Sequence, residues 1–295
     1  MKTKPYRIVF YYLLILIRSF FYLFPYQVGI WVGRLLGRVV FYLLAKERNK
    51  TISNLRLAFG EQPSDQELRR IARAVFENYG MIAAETQLVG KIIPCLDRWV
   101  DIEGKEILDE ALKKGHGVIG LIAHFGDWEL MGGYLAMKGY PMVAVARKIY
   151  YEKYNQLLIQ ARERMSIRVI YRDRSPREML RTLKNNDVLV IAADQDVDSL
   201  DGVFVNFFSR PAYTPVAPVR FSMAAGAPII PAFIIREGFK HRIIIEKPIE
   251  LTFTGNKETD LVANTQKWVS LQEQYIRQYP HLWVWNHKRW RTKSV

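Results

Sequence analysis

The sequence predicts an α/β fold: a mixed sheet flanked by helices, preceded by an N-terminal membrane-anchor helix. Two observations carry the sheet. Short apolar runs recur along the chain as continuous stretches, the pattern of strands buried on both faces. Amphipathic stretches long enough for helices separate them, and this alternation builds sheets with helices on their faces. The anchor rests on a third: residues 1–45 are the most apolar part of the chain. With 295 residues, 49% of them hydrophobic, the chain buries enough surface to exclude disorder as its main state. Its single cysteine, Cys95, excludes a disulfide scaffold and a cysteine-rich zinc site.

Taken in order, the first element is Ile8 to Phe24, which has one charge, Arg18, and stops at Pro25. Seventeen helical residues reach roughly 25 Å, a little short of a hydrocarbon core of about 30 Å. Val28 to Leu44 follows, apolar except for Arg34 and Arg38 on one helical face. No small-residue cleavage site follows, so a secretory signal peptide fits poorly. Tyr, Trp and Arg interleaved with Leu, Ile and Phe suit residues at a membrane interface, and Arg18 leaves a tilted or monotopic anchor as open as a span. The chain therefore divides into anchor or interfacial helices over 1–45 and an α/β domain over 46–295, placed on the cytoplasmic side by Lys46, Arg48 and Lys50.

Ser64-Asp65-Gln66-Glu67 is a capping box that opens a helix to about Leu88. Strands are expected at 118–123, 142–146, 167–171, 188–192, 229–235 and 242–246. Helices are expected near 104–114, 127–138, 150–165, 175–185, 213–225 and 258–279, with Ser175-Pro176-Arg177-Glu178 a second capping box.

Open α/β sheets bind ligands beyond the carboxyl ends of their strands. There the sequence puts His124-Phe125-Gly126-Asp127-Trp128-Glu129, then Arg147, then Arg172-Asp173-Arg174, then Asp194-Gln195-Asp196. Asp127 suits the N-cap of the following helix. With His124 on the turn and Glu129 in the first helical turn, the carboxylate reaches back to the imidazole and the pair forms a general base. No nucleophile elbow, zinc-binding His-Glu helix or phosphate loop occurs, and Cys95 reads as a small buried hydrophobe. A metal on His124 and Asp127 would need Asp194 or Asp196 as a third ligand, and none is expected. His116, His241, His281 and His287 lie in turn-like or terminal contexts that suit packing or solvent.

These residues resemble a known family. His-Phe-Gly-Asp-Trp-Glu is an instance of the H-x4-(D/E) signature of lysophospholipid and lipid A acyltransferases. Ala-Asp-Gln-Asp at 193–196, Gly-Val-Phe-Val-Asn-Phe-Phe at 202–208, the Ala-x-Thr-Pro stretch at 212–215 and Gly-Ala-Pro-Ile-Ile-Pro at 226–231 resemble the late lauroyl and myristoyl transferases of lipid A synthesis. So do Asn-Leu-Arg-Leu-Ala-Phe at 54–59 and Trp-x-Trp-Asn-His-Lys-Arg-Trp at 283–290. The Glu-Gly-Thr-Arg block of the glycerol-3-phosphate branch is absent; Glu237-Gly238-Phe239-Lys240 comes nearest.

The resemblance implies a glycerol-3-phosphate-acyltransferase-like fold at the cytoplasmic face of a bacterial inner membrane. It implies transfer of an acyl chain from an acyl carrier protein thioester, or acyl-coenzyme A, to a hydroxyl of a lipid A precursor (Kdo2-lipid IVA or its monoacylated product). His124 would deprotonate that hydroxyl while Glu129 holds the imidazole, with no cofactor, metal or covalent enzyme intermediate. Arg147 is assigned to anionic substrate or oxyanion support and Asp194 to orienting a partner, with Asp127 and Arg172 also toward substrate. Another membrane glycolipid or lysolipid as acceptor, such as a phosphatidylinositol mannoside or an ornithine-type lipid, and a non-catalytic lipid-binding protein remain the alternatives.

The charge of +14 agrees with such partners once it is divided. Residues 1–50 hold nine Lys/Arg and one acid, and 277–295 hold five and none, around a nearly neutral body. Basic residues beside apolar segments favour an anionic membrane and an acidic carrier protein over nucleic acid. Arg18, Arg34, Arg38, Trp283, Trp285 and Trp290 are accordingly expected at the membrane interface.

Overall fold

A computed structural model describes residues 5–172 and 176–293. Two apolar helices, α1 (Pro5–Tyr22) and α2 (Tyr26–Leu43), are followed by α3 (Ala45–Phe59) and the long α4 (Asp65–Ile92). The Ser64 box caps α4, with Glu67 returning to the Ser64 N–H at 2.8 Å. A 3-10 turn over Ile93–Arg98 leaves Cys95 half-buried and leads into β1 (Val100–Glu103). Helices and strands then alternate: α5 (Lys105–Lys113), β2 (Val118–Ile122), α6 (Trp128–Met137), β3 (Met142–Ala146), α7 (Glu152–Arg164), β4 (Arg168–Tyr171), α8 (Pro176–Lys184) and β5 (Val188–Ala192). A hairpin of β6 (Gly202–Phe207) and β7 (Arg210–Pro215) precedes α9 (Ala217–Ala225), β8 (Ile229–Glu237), β9 (Lys240–Ile245) and α10 (Lys257–Gln278).

Seven strands form one sheet in the order β1-β9-β8-β2-β5-β3-β4. All neighbours are parallel except β8 and β9, so the sheet is mixed as expected. The six expected strands are present, and β1 extends the edge beyond β9. Residues 210–215, of which 213–215 begin an expected helix, instead pair antiparallel with 202–207. Pro211 and Pro215 at the ends of that segment hide its strand character, and the helix begins only at Ala217. Asp173, Arg174 and Ser175, with the capping box expected at Ser175, lie outside the described residues.

The sheet separates two apolar layers. Ile119, Leu121 and Ala123 point to one, which includes Trp268, Trp283 and Trp285; Val118 points to the other, with Ile30, Leu88 and Met131. Period-two alternation makes the division, and burial on both faces makes the strands uniformly apolar.

Helix α2 lies along α4 with Tyr26, Gly29, Ile30, Gly33, Gly37 and Phe41 buried at helical spacing. A Cβ at Gly37 would come 2.2 Å from the Phe76 carbonyl oxygen, and one at Gly80 would come 2.0 Å from that of Gly33. Backbones this close admit only glycine. Arg34 and Arg38 both pair with Glu77 of α4 at 2.7 Å. The pairs clamp α2 to the domain while the Arg34 and Arg38 side chains stay 56% and 44% exposed. Trp283 and Trp285, expected at the membrane interface, are instead core residues at 2% and 0% exposure, and Trp290 stacks on Phe207. Arg289, expected in a basic rim, is 1% exposed and bonds the Tyr213 carbonyl and the Thr214 hydroxyl. The C-terminal Trp-rich motif is an internal strap. Arg18 lies 5.7 Å from the centre of the Tyr22 ring. No single helix among the described residues is long and apolar enough to cross a membrane.

Candidate active site

Parallel register assembles the site. β2 pairs with β5 so that Ile122 faces Ala192. Two residues further on, past both strand ends, the same register brings His124 to Asp194. The Asp194 Oδ1 lies 2.7 Å from the Nδ1 of His124, and its Oδ2 accepts the His124 backbone N–H and the Trp283 indole N–H, each at 2.9 Å. Three donors at fixed angles leave the carboxylate one position. Burial pushes the pKa of Asp194 up, but the imidazole and these hydrogen bonds outweigh it and hold the carboxyl far below its usual range. Burial pushes His124 down, and the charge and hydrogen bond of Asp194 more than reverse that, leaving it above the ordinary 6.5.

The loop after β2 is fixed as tightly. Gly126 sits at φ +60°, and a Cβ there would come 2.1 Å from the Ile234 carbonyl oxygen. Its N–H donates to the Leu282 carbonyl at 2.9 Å, and Val284 N–H donates to the His124 carbonyl at 3.1 Å. The strap over 282–285 thus continues the sheet edge and holds the histidine backbone from the far side. Trp283→Phe keeps an aromatic ring but loses the donor to Asp194 and part of a buried side chain, and activity at neutral pH should fall about tenfold while the melting temperature falls by a few degrees.

Glu129 occupies the same cavity but not the expected partner. Its carboxylate makes two hydrogen bonds to Arg162 of α7, to Nε at 2.9 Å and Nη2 at 2.5 Å. The carboxylate bonded to the imidazole is Asp194, because Glu129 starts on the first turn of α6 and points toward α7. It still contributes electrostatically, raising His124 while Arg162 lowers it. Asp127 caps α6, accepting the Leu130 N–H at 3.0 Å, and its 3%-exposed carboxyl turns inward to Glu85. It faces protein, which corrects its expected placement toward substrate. Arg147 and Arg172 line the cavity.

The cavity beside His124 measures about 970 Å³, large enough for most of a lipid headgroup. Its walls carry Arg147, Arg162, Arg172, Arg220 and Arg291, of which Arg220 pairs with Asp201 and Arg291 with Asp198. A smaller, almost wholly apolar pocket of about 30 Å³ lies against it, between α6 and the sheet, lined by Gly120, Met131, Leu135 and Val188 among others. Ile122, Trp128, Gly132, Met142 and Val190 wall both spaces. Such a site joins a half-buried imidazole to an apolar pocket and to a cavity lined by five arginines and by Glu129, Asp196, Asp198 and Asp201, which suits an amphiphilic ester or thioester.

Sequence reasoning missed Arg162, Gln195 and His287. The His287 ring stacks on that of His124 with centroids 5.6 Å apart. Its signal was its place in the Trp-rich motif, whose other members looked interfacial. His241 was also passed over and is fully buried against Glu85. Among the described residues, no three His, Cys, Asp or Glu side chains converge as metal ligands would.

Residues 2–292 match the family described as bacterial lipid A biosynthesis acyltransferase. The chain belongs to this family. It is therefore an acyltransferase of the lipid A type. Within the wider similarity, the phosphatidylinositol mannoside acyltransferase of Mycobacterium tuberculosis is 28% identical over 226 residues, covering 74% of this chain and 69% of the relative. The lipid A biosynthesis palmitoleoyltransferase of Escherichia coli is 26% identical over 278 residues, covering 92% and 87%. The lauroyltransferase of the same organism is 25% identical over 276 residues, covering 91% and 87%. The acyltransferase family thus joins two classes of acceptor glycolipid in the names of its members.

Proposed function

We propose that this acyltransferase moves a fatty acyl chain from a carrier-protein thioester to a hydroxyl of a lipid A precursor, with His124 as general base. The observation that carries the reading is the His124–Asp194 pair opening on an arginine-bearing cavity backed by an apolar pocket. Asp194 accepts the hydrogen bond of Nδ1–H, fixing the tautomer that leaves Nε2 to remove the proton of the acceptor hydroxyl. The hydroxyl oxygen attacks the thioester carbonyl, the C–S bond breaks, and the imidazolium returns its proton to the departing sulfur. Glu129 acts through Arg162, holding a guanidinium in the cavity to meet anionic substrate. The ordinary pH dependence follows from the sign of the His124 shift: kcat/KM rises with pH through an apparent pKa above 6.5 and then levels.

The apolar pocket has room for about one methylene, so the acyl chain lies chiefly along the wall that the pocket shares with the cavity, formed by Ile122, Trp128, Gly132, Met142 and Val190. Gly132 stands on the wall between the two spaces, and a Cβ there has its nearest contact at 3.4 Å, Ile167. Gly132→Leu should therefore fold, and should shift the preferred donor toward shorter chains by two or more carbons, read by competition between thioesters of different lengths.

The acceptor lies in a bilayer, and the surface of α1 and α2 suits seating there. Leu23, Trp31, Leu35, Val39 and Leu43 are exposed while the opposite face of α2 is packed on α4. A half-packed helix supports an in-plane, monotopic seat at the cytoplasmic face of the inner membrane over a span. Trp31→Glu with Leu35→Glu should release the protein from sedimenting vesicles of anionic phospholipid without loss of thioester turnover.

A second reading, acylation of a phosphatidylinositol mannoside or a related membrane glycolipid, is favoured by the mannoside acyltransferase relative. Mass spectrometry of membrane glycolipids from cells carrying the protein or its His124→Ala variant separates them. A gain of one acyl chain on lipid A supports the first reading, a gain on another glycolipid the second, and no difference contradicts both.

A further inference from the structure

We infer that Gln195 supplies the side-chain N–H that stabilises the oxyanion of the transfer, and that His287 is the residue that positions it. The inference rests on the acyl-transfer reading above and names groups that reading leaves open.

Attack on a thioester carbonyl puts negative charge on its oxygen, and donors aimed there are commonly the largest single contribution to such catalysis. Backbone amides are the usual source, but those next to the base are already used. His124 N–H donates to Asp194 at 2.9 Å, Phe125 N–H to the Ala123 carbonyl at 2.8 Å and Gly126 N–H to the Leu282 carbonyl at 2.9 Å. With these three amides engaged, a side-chain donor beside the imidazole becomes the candidate.

Gln195 follows Asp194 directly, so the strand end that sets the carboxylate also sets the amide. Its Nε2 lies 3.2 Å from Nε2 of His124 and 3.3 Å from Nε2 of His287. It is also 3.0 Å from Nδ1 of His124, but that nitrogen donates its N–H to Asp194. Near-equal distances to both ring nitrogens place the amide nitrogen over the face of the His124 ring, while Nε2 of a neutral His287 offers an acceptor for one of its two N–H donors. The network orients the nitrogen inward.

His287 is suited to remain an acceptor. Burial lowers it, and His124 and Lys50 lower it further against the opposing pull of Asp194, so its ring stays neutral. Its backbone is held by Asn54, whose amide donates to the carbonyls of His287 at 2.7 Å and Trp285 at 2.6 Å. Gln195 lines the cavity, and His287 is not among the lining residues, so it reaches the substrate only through the amide.

The chemistry then runs in register. In the resting site one N–H of Gln195 rests on His287 and the other lies over the face of the His124 ring, which leaves the in-plane lone pair of Nε2 to the acceptor hydroxyl. As the acceptor O–H bond breaks, its proton goes to Nε2 of His124 and the new C–O bond forms. The carbonyl π electrons move to oxygen. The second Gln195 N–H meets the oxyanion while His287 keeps the amide from rotating away. When the C–S bond breaks, the oxyanion reforms the carbonyl and the His124 proton goes to sulfur.

The test uses the purified full chain with dodecanoyl thioesters of acyl carrier protein and of coenzyme A, water as acceptor, and thiol release as readout. Gln195→Ala should lower kcat about 10²–10³-fold with KM changed less than about threefold. Gln195→Glu, which keeps the shape but donates nothing when ionised, should match it and covers a folding failure of the alanine variant. His287→Leu should lower kcat about tenfold or more, His287→Gln should restore most of it by returning an acceptor, and the double variant His287→Leu/Gln195→Ala should be no slower than Gln195→Ala alone. Gln195 variants within about threefold of the parent, or a double variant whose losses multiply, would overturn the inference, as would a large loss confined to Arg162→Met, since Arg162 is the rival donor. His124→Ala separates the two levels. If it leaves thiol release unchanged the acyl-transfer reading fails, and if it alone removes release the inference about Gln195 fails by itself.

Discussion

Asp194→Asn lowers acyl transfer by about 10²–10⁴-fold while the protein remains folded, and His124→Ala lowers it at least as far. The asparagine has the size of the carboxylate and still accepts from the His124 backbone and the Trp283 indole through one oxygen. What it cannot do is accept the Nδ1–H hydrogen bond with a full negative charge. The imidazole is then free to present the wrong tautomer, and its conjugate acid loses the stabilising charge. The pH profile distinguishes this from general damage. Without the charge and hydrogen bond that raise His124, burial remains, so the acidic limb of kcat/KM moves from above 6.5 to below it. Steady-state rates from pH 5 to 9 for both proteins, with circular dichroism as the folding control, read both effects. Glu129→Gln should cost less, about tenfold, and chiefly in KM, because its carboxylate orients Arg162 rather than the base.

Glu85→Ala destabilises the protein by about 3–5 kcal/mol, the range for an uncompensated buried charge. Glu85 is 1% exposed and joins five elements: Tyr26 of α2 donates to it at 2.5 Å, His241 of β9 lies 2.7 Å away, Arg236 of β8 pairs with it, and Asp127 at the head of α6 faces it. Removing it strands Arg236, which is itself buried, and unties α2 from the catalytic loop. Burial pushes Glu85 up, but His241 and Arg236 together hold it well below its usual range. A carboxylate whose folded value is lowered contributes stability above its unfolded value of about 4.5, lost as pH falls through the folded one. Asp127 goes the other way, raised well above 3.8 first by burial and then by the Glu85 charge, so the pair holds one proton, on Asp127. That gives a contrast. Asp127→Asn keeps the cap oxygen for Leu130 and a donor for Glu85 and should change stability by less than about 1 kcal/mol, whereas Asp127→Ala loses the cap and about 1–2 kcal/mol. Urea unfolding at pH 7 for the three variants provides the comparison.

Strand–helix alternation made the sheet readable because buried parallel strands are uniformly apolar, and the strand-end rule led to His124, Arg147, Arg172 and Asp194 before any geometry was available. The pairing of His124 was not readable. His124 and Asp194 are 70 residues apart and meet through the β2–β5 register, while Glu129 is near in sequence but faces α7. Local spacing favours the near carboxylate, and only tertiary register favours the distant one. The terminal motifs misled for a related reason. Trp and Arg among apolar residues have the same composition at a membrane surface and in a strap closed over a core. What separates the cases is a buried partner: the Tyr213 carbonyl for Arg289, Asp194 for Trp283. Neither of these is adjacent in sequence. His287 was hidden in the same motif, since a histidine beside basic residues at a chain end has no local feature that marks it as stacked on a base.

The most direct measurement of the central claim is a single-turnover reaction of purified protein with a dodecanoyl carrier-protein thioester and Kdo2-lipid IVA in mixed micelles, following thiol release and glycolipid mass together. His124 acting as base for direct transfer predicts one thiol released for each dodecanoyl ester gained by the glycolipid, with no acylated protein at any time and with both products lost in His124→Ala and Asp194→Asn. Thiol release without glycolipid mass gain, an acyl-protein adduct, or undiminished transfer in the Asp194→Asn variant would contradict it.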